Sequence, residues 1–229
     1  MTKHIGIIGC SYEGAALCYR TICNEGSRYL GEHSHPEVSL HTHPLNEYMK
    51  YIVRGDWNGV ADLMISSAKK LCGAGAEILI CPDNTIHQSF SIVRKEISTP
   101  WLHIAEEVAA EAYNNFFKKT GILGTKFLME GPVYPEKLTA RNINFEIPNE
   151  EQRVQINNII FSELVYGVIK PESKNYFLNV IRELKTKGCD AVILGCTEIP
   201  LIVLPEESSL PILDSTRILA RAALKRAIE

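Results

Sequence analysis

Two segments of the chain share one pattern, and each ends in a side chain that can carry a proton. Residues 75–85 and 188–198 align without a gap at an offset of 113 residues, which places Asp83 opposite Cys196. In both segments an apolar run leads into a small polar loop, as a buried parallel strand does when it delivers side chains to a site. Two such loops facing each other could remove a proton from one face of a carbon and return one to the other.

Each of these residues also has an ordinary structural interpretation. A free cysteine is commonly buried, and Asp83-Asn84-Thr85 fits an Asx turn or a helix N-cap. Cys196 lies between a glycine and a threonine at a strand end, which favours a presented side chain. Its alignment with Asp83 then favours a catalytic or binding role for the first loop. Asn84 and Thr85 add amide and hydroxyl donors, and a helix start there would favour a carboxylate.

Other polar motifs are weaker. The run Gly6–Gly14 follows a predicted strand, but it is not GxGxxG, so no nucleotide site is predicted. Ser11 is instead expected to point into the cleft. Histidines at positions 33, 35, 41 and 43 alternate along extended segments. A metal site needs three or four converging ligands, so we predict polar lining, His43 included, and no metal.

Composition narrows the class of protein. The 229 residues carry a net charge of −3 with no basic stripe, which argues against a nucleic-acid partner. No apolar stretch is long enough to span a bilayer, and the first residues lack the features of a signal peptide. The seven cysteines are odd in number and contain no CxxC. We therefore expect reduced thiols and a cytoplasmic location.

Strand and helix patterns alternate in both halves of the chain. Apolar residues recur at helical spacing in 60–71 and 176–187, and each run ends at glycine just before one of the two site segments. This alternation predicts βαβ units and parallel sheets. We expect an α/β fold of two similar, pseudo-twofold related lobes with the site in the cleft between them. The first lobe would span 1–104, completed by a helix at 212–229, and the second 105–211. Residues 139–153 are predicted to be loop-like.

The chain resembles the aspartate/glutamate racemase family over nearly its whole length. The resemblance rests on IGIIG at 5–9, GDW at 55–57, GAEILICPDNTIH at 75–87, LHIAE at 102–106, GTKFLME at 124–130 and ILGCTEIPLI at 193–202. It implies two Rossmann-like lobes, no PLP or other cofactor, and a homodimer.

The resemblance also assigns roles to individual residues. In the family two cysteines face the substrate; the second matches Cys196, whereas the first falls on Asp83, where some relatives carry threonine. Family members specific for acidic substrates use an arginine and a lysine where this chain has His43 or a neighbour and Val168, so the resemblance does not imply an acidic substrate side chain. Ser11, His43 and Glu198 are further expected to contact the substrate. The positions that hold the α-carboxylate match Asn84, Thr85, Thr125 and Thr197.

The expected activity is racemisation of an amino acid by two-base proton transfer between Asp83 and Cys196. In water the two side chains have pKa values of about 3.9 and 8.5, so the resting pair is a carboxylate and a thiol. Two other classes remain open. A lyase or cis–trans isomerase acting on a small carboxylic acid would use the same scaffold, and a non-catalytic small-ligand binding protein would follow if Asp83 had ended the chemistry.

Overall fold

The protein contains two four-stranded sheets, and every strand pair in them is parallel. The structure is a computed structural model that describes residues 2–229. The described residues divide into two compact units, one formed by 2–107 with 216–229 and the other by 108–215. Two parallel sheets flanked by helices confirm the predicted α/β class.

The first unit has strand order β2-β1-β3-β4. Its strands are β1 (Ile5–Gly9), β2 (Val38–Thr42), β3 (Ile78–Ile80) and β4 (Trp101–Leu102). Its helices are α1 (Tyr12–Leu30), α2 (Leu45–Ile52), α3 (Trp57–Gly73), α4 (Phe90–Glu96) and α5 (Ile104–Asn114), which continues into the second unit. A 3₁₀ turn, Thr85–Ser89, precedes α4.

The second unit repeats this arrangement with strand order β6-β5-β7-β8. Its strands are β5 (Lys119–Leu123), β6 (Asn144–Glu146), β7 (Ala191–Leu194) and β8 (Ile212–Asp214). Its helices are α6 (Lys126–Met129), α7 (Pro135–Thr139), α8 (Glu150–Ser162) and α9 (Pro171–Thr186), and α10 (Ser215–Ile228) ends the chain.

The central strands are buried because they are covered on both faces. Every residue of β1, β3 and β7 is buried, as expected for the continuous apolar runs of a parallel sheet. Ile7 lies in register with Ile80, and Ile122 lies in register with Ile193. The two apolar runs singled out in the sequence are therefore inner strands of their sheets, each next to the first strand of its unit.

One predicted loop is wrong. Residues 139–153 contain the strand β6 and the start of α8. The helix begins at a capping box, in which the Asn149 side chain accepts from the Gln152 N–H at 2.9 Å and the Gln152 side chain accepts from the Asn149 N–H at 3.1 Å. Asn-x-x-Gln satisfies the first helical donors reciprocally, so the acidic composition concealed a helix start.

Helix α10 contributes five buried residues to the apolar core of the first unit, beside β1, β3 and α1. These five residues are Leu219, Ala220, Ala223, Leu224 and Ala227.

No helix within residues 2–229 combines the length and apolar character needed to cross a bilayer.

Truncating the α10 face should destabilise the first unit. Leu219 is 0% exposed, and Leu→Ala in a packed core costs about 2–5 kcal/mol through lost burial and the remaining cavity. We expect Leu219→Ala to lower the free energy of unfolding by that amount in urea denaturation, whereas Lys225→Ala, at an exposed position of the same helix, should change it by less than about 0.5 kcal/mol. Equal effects would contradict the packing described.

Candidate active site

Asp83 ties together two loops at the carboxyl end of the first sheet. Its Oδ2 accepts from the Cys10 N–H at 2.9 Å and its Oδ1 from the Ser11 N–H at 3.0 Å. Cys10 and Ser11 directly follow β1, and Asp83 follows the neighbouring strand β3. Both carboxylate oxygens are thus engaged by backbone donors, an arrangement that stabilises the ionised form.

A second aspartate forms the same fork elsewhere in the chain. Asp190 accepts from the Lys118 N–H at 2.7 Å and the Lys119 N–H at 3.1 Å, at the start of β5 and β7. The starts of the strands lie at the edge of the sheet opposite to their carboxyl ends. The Asp190 fork is therefore an example, within the same chain, of a fork with a purely structural role. Asp83 differs from it by its place at a strand's carboxyl end, where parallel sheets bind ligands.

Asn84 and Thr85 continue directly from Asp83 into the 3₁₀ turn. Asn84 is buried and Thr85 is partly exposed. Ser11 has two functions in this region: its N–H donates to Asp83, and its Oγ caps α1 by accepting from the Gly14 N–H at 3.3 Å. Asp83, Asn84, Thr85 and Ser11 therefore belong to one cluster of loops within the first unit.

His43 follows β2 at the same edge, but its ring is directed to α3. Its Nε2 lies 3.1 Å from Ser66 Oγ. His41, packed edge-on against it at 4.9 Å, pairs with Ser67 and with Lys70. Burial, and then the charge of Lys70, lowers the pKa of both histidines, so the position is uncharged at neutral pH.

The thiol of Cys196 is paired with a buried carboxylate in the second unit. Cys196 Sγ–H donates to Glu198 Oε2 at 2.9 Å, and Thr197 Oγ1 donates to the same oxygen at 2.8 Å. Glu198 is only 3% exposed, whereas Cys196 is partly exposed. A carboxylate in this position can orient the thiol and take its proton. The prediction that Glu198 contacts the substrate stays a prediction.

The loop that carries Cys196 is held close to the end of β5. The Gly195 N–H donates to the Leu123 carbonyl at 2.7 Å. A Cβ at Gly195 would overlap the Leu128 side chain and lie 3.0 Å from that carbonyl oxygen, so glycine is required for the close approach. Thr125, one residue past Gly124, caps α6 by accepting from the Leu128 N–H at 3.3 Å. Thr125 and Cys196 thus follow adjacent strands of one sheet.

Val168 lies in the turn between α8 and α9, and it is 42% exposed. Asn157 of α8 accepts from the Lys126 N–H, directly after the carboxyl end of β5, at 2.9 Å. Gln152, earlier on α8, donates to Glu183 near the end of α9. Helix α8 therefore runs toward the carboxyl edge of the sheet, and the turn with Val168 follows at that edge.

Cys81, two residues before Asp83, is less suited to proton transfer than Cys196. Cys81 is fully buried, and burial, together with the nearby Asp83, raises the pKa of its thiol well above the usual range. Within residues 2–229 no group of three or more His, Cys, Asp or Glu side chains is arranged to hold a metal ion.

Sequence reasoning missed the partners that hold the two central side chains. The backbone donors of Cys10 and Ser11 lie 73 and 72 residues from Asp83, and no side-chain motif marks them. The Glu198 contact is easier to predict from the sequence, because an acidic residue two positions after a presented cysteine indicates a paired thiol. The contact between the His87 ring and the Asp83 carbonyl oxygen likewise has no signal in the sequence.

The parallel two-sheet fold with polar loops at the carboxyl ends, one of them Gly-Cys-Thr-Glu, is similar to structures described as racemases of the Asp/Glu type. The family model Asp/Glu/Hydantoin racemase matches residues 5–223, so the chain belongs to that family.

Individual relatives support this membership. A candidate Asp/Glu racemase from Yersinia pestis is 33% identical, with a TM-score of 0.90 over 99% of this chain and 100% of that chain. An aspartate racemase homologue from Pyrococcus horikoshii OT3 is 30% identical, with a TM-score of 0.86 over 100% of both chains. The broad specificity amino-acid racemase RacX of Bacillus subtilis is 23% identical over 193 residues, 83% of this chain and 81% of that protein.

Removing either aspartate fork should destabilise the protein similarly. An asparagine retains one acceptor oxygen but turns an NH₂ group toward the other backbone N–H. We expect Asp83→Asn and Asp190→Asn each to lower the free energy of unfolding by about 1–3 kcal/mol, measured in urea. A fall in Asp190→Asn alone would mean that the Asp83 fork does not form in solution.

Stability should decrease in mild acid because of His87. Burial, followed by the neighbouring His103, holds the pKa of His87 well below its usual range. As pH falls below about 6.5 the unfolded chain takes up the proton first, so the stabilisation that is complete above that pH is progressively lost. We expect the free energy of unfolding to fall between pH 7 and pH 5 and the slope to be shallower in His87→Gln. An unchanged slope would contradict a neutral buried imidazole.

Proposed function

We propose that this protein inverts the α-carbon of an amino acid without PLP or another cofactor, using Asp83 on one face of the substrate and Cys196 on the other. Family membership supports amino-acid racemase activity. The observation that carries the proposal is the pairing of Cys196 with Glu198 at the carboxyl end of β7. A partly exposed thiol held by a buried carboxylate is suited to giving and taking a proton.

Glu198 gives the thiol a defined direction and an acceptor for its proton. In the resting state Cys196 carries the proton and Glu198 and Asp83 are carboxylates. When Asp83 removes the α-hydrogen, Cys196 donates its own proton to the opposite face, which leaves a thiolate. The reverse turnover begins from thiolate and protonated Asp83. Solvent or the reverse reaction then restores the resting pair, so protons balance over the cycle.

The hydrogen bonds to Asp83 have a kinetic consequence. A carboxylate that accepts two N–H groups is stabilised in its charged form, and protonation must weaken one of these bonds. Bonds to charged groups contribute about 1.5–3 kcal/mol each. Removal of the α-hydrogen by Asp83 is therefore expected to be slower than removal by Cys196. Because free enantiomers have equal energy, kcat/KM must still match in the two directions, and the imbalance falls on kcat and KM separately.

The substrate is proposed to be an amino acid whose side chain is not acidic. His43 is neutral because burial and Lys70 lower its pKa. Val168 brings an apolar side chain to the carboxyl edge of the second sheet, and Lys170, two residues on, is paired with Glu163 at 3.1 Å. Neither position supplies a cation for a second carboxylate. Asn84, Thr85, Thr125 and Thr197 are proposed to hold the α-carboxylate.

A non-catalytic binding protein is the second candidate, and the Asp83 fork is the observation that favours it. Asp190 shows that this chain uses the same fork where no chemistry is expected. If Asp83 is only a structural tie, the protein could bind a small carboxylate without inverting it. A homodimer in the cytoplasm is proposed in either case, from the family resemblance and the scattered cysteines.

The decisive experiment is proton NMR of L- and D-amino acids in D₂O with the purified protein and no added cofactor. Racemisation predicts loss of the α-proton signal together with growth of the opposite enantiomer on a chiral column. Cys196→Ala should lower inversion by about 10²–10⁴-fold, the usual contribution of a positioned acid or base. Asp83→Asn should abolish inversion but keep α-hydrogen exchange from one enantiomer, the one whose hydrogen faces Cys196.

Asp190→Asn is the matched control because it loses an equivalent fork away from the site. With rates corrected for the folded fraction, it should racemise like the unmodified protein. Equal losses in Asp83→Asn and Asp190→Asn would assign Asp83 a structural role only. Unchanged racemisation in Cys196→Ala would reject the mechanism, and binding without exchange across acidic, neutral and basic amino acids would favour the binding protein.

A further inference from the structure

His87 contacts the backbone of Asp83 through one ring nitrogen and the start of α5 through the other. Its Nδ1 lies 2.9 Å from the Asp83 carbonyl oxygen, and its Nε2 lies 3.4 Å from the Ile104 nitrogen. A backbone N–H can only donate, so Nε2 must accept and carries no proton. Nδ1 must then hold the proton and donate to the carbonyl. The two contacts therefore fix a single neutral tautomer.

The surroundings of His87 preserve this neutral form. The ring is 3% exposed. It meets His103 edge-on at 4.7 Å and stacks on Phe90 at 5.8 Å. His103, from the β4–α5 junction, lowers the pKa of His87, and the more weakly acting Glu106 of α5 raises it, but burial dominates. A second proton would remove the acceptor that holds the Ile104 N–H.

Asp83 is consequently held from two sides. Its carboxylate accepts from the backbone that follows β1, and its carbonyl accepts from His87. The carboxylate contacts fix the position of the Asp83 side-chain oxygens, whereas the His87 contact fixes the position of the Asp83 backbone. Through Ile104 the second anchor extends to α5, which begins directly after β4. The same backbone anchor also restrains Asn84, the residue next to Asp83.

We propose that His87 is a positioning residue for the proposed racemisation, and that it fixes the Asp83 loop in the geometry needed for proton transfer on that face of the substrate. This inference rests on the proposed function. It differs from an ordinary buried histidine in one measurable respect. Loss of a merely structural histidine lowers exchange from both enantiomers by one factor, whereas loss of a residue that positions Asp83 lowers exchange from one enantiomer selectively.

The test compares initial rates of α-deuterium incorporation from each enantiomer in three variants. Asp83→Asn first identifies which enantiomer depends on Asp83. His87→Ala should lower exchange from that enantiomer by about 10²-fold, the effect of roughly 1 Å of misplacement, and change the other by less than about twofold after correction for folded protein. His87→Asn keeps an N–H donor near the Nδ1 position and should recover most of the loss.

His4→Asn is the control for loss of a buried histidine in the same unit. His4 is 5% exposed, precedes β1 at the opposite edge of the sheet, and bonds to Ser39 Oγ at 2.9 Å. It should lower both exchange rates equally, or neither. ¹⁵N NMR of the His87 ring at neutral pH should in addition report a protonated Nδ1 and an unprotonated Nε2. The reverse tautomer, or a doubly protonated ring, would overturn the inference directly.

The outcomes separate the two proposals. If Asp83→Asn is selective for one enantiomer and His87→Ala lowers both rates equally, His87 is structural and the racemase mechanism stands. If Asp83→Asn shows no selectivity, the two-base mechanism itself fails, and the positioning role fails with it. Selectivity in both, with recovery by His87→Asn, supports both.

Discussion

The Asp83 loop of the first unit depends on one constraint, the need to satisfy two backbone N–H groups where β1 ends. The Asp83 carboxylate meets this need by accepting from Cys10 and Ser11. Buried backbone donors are costly when they lack a partner, so a side chain that serves them is strongly fixed. That fixation orders the loops after β1 and β3 together, and it explains why an aspartate can occupy a position whose counterpart in the second unit is a cysteine.

The loops that follow β3 and β7 are held by different contacts in the two units. In the first, a carboxylate accepts from the main chain and is held in its charged form. In the second, the Gly195 N–H donates to the Leu123 carbonyl and holds the loop close to the end of β5. The Cys196 thiol in that loop donates to Glu198. Both strand ends carry a side chain that can hold a proton: Asp83 is held by two backbone N–H groups, and Cys196 is held by Glu198.

Much of the fold follows from local pattern, whereas the contacts within the site do not. Buried strands and amphipathic helices have periods that show in the sequence, and Gly188 and Gly75 mark where helices give way to strands. The loop prediction for residues 139–153 was wrong because a capping box of neutral side chains lies within an acidic segment. The fork of Asp83 joins atoms more than 70 residues apart, and backbone donors have no letter in the sequence, so only the folded chain reveals them.

If Asp83 carries out the proposed proton transfer, its fork limits how this site can differ from one with two cysteines. A cysteine at 83 could carry the proton but could not accept two N–H bonds with comparable strength, since its sulfur is a weak acceptor. The loop would then need other partners for Cys10 and Ser11. Conversely, an aspartate gains order in the loop and loses basicity, because each N–H bond favours the charge that a base must give up. The exchange is tolerable only if binding of the substrate carboxylate stabilises the carbanion enough to offset the weaker base.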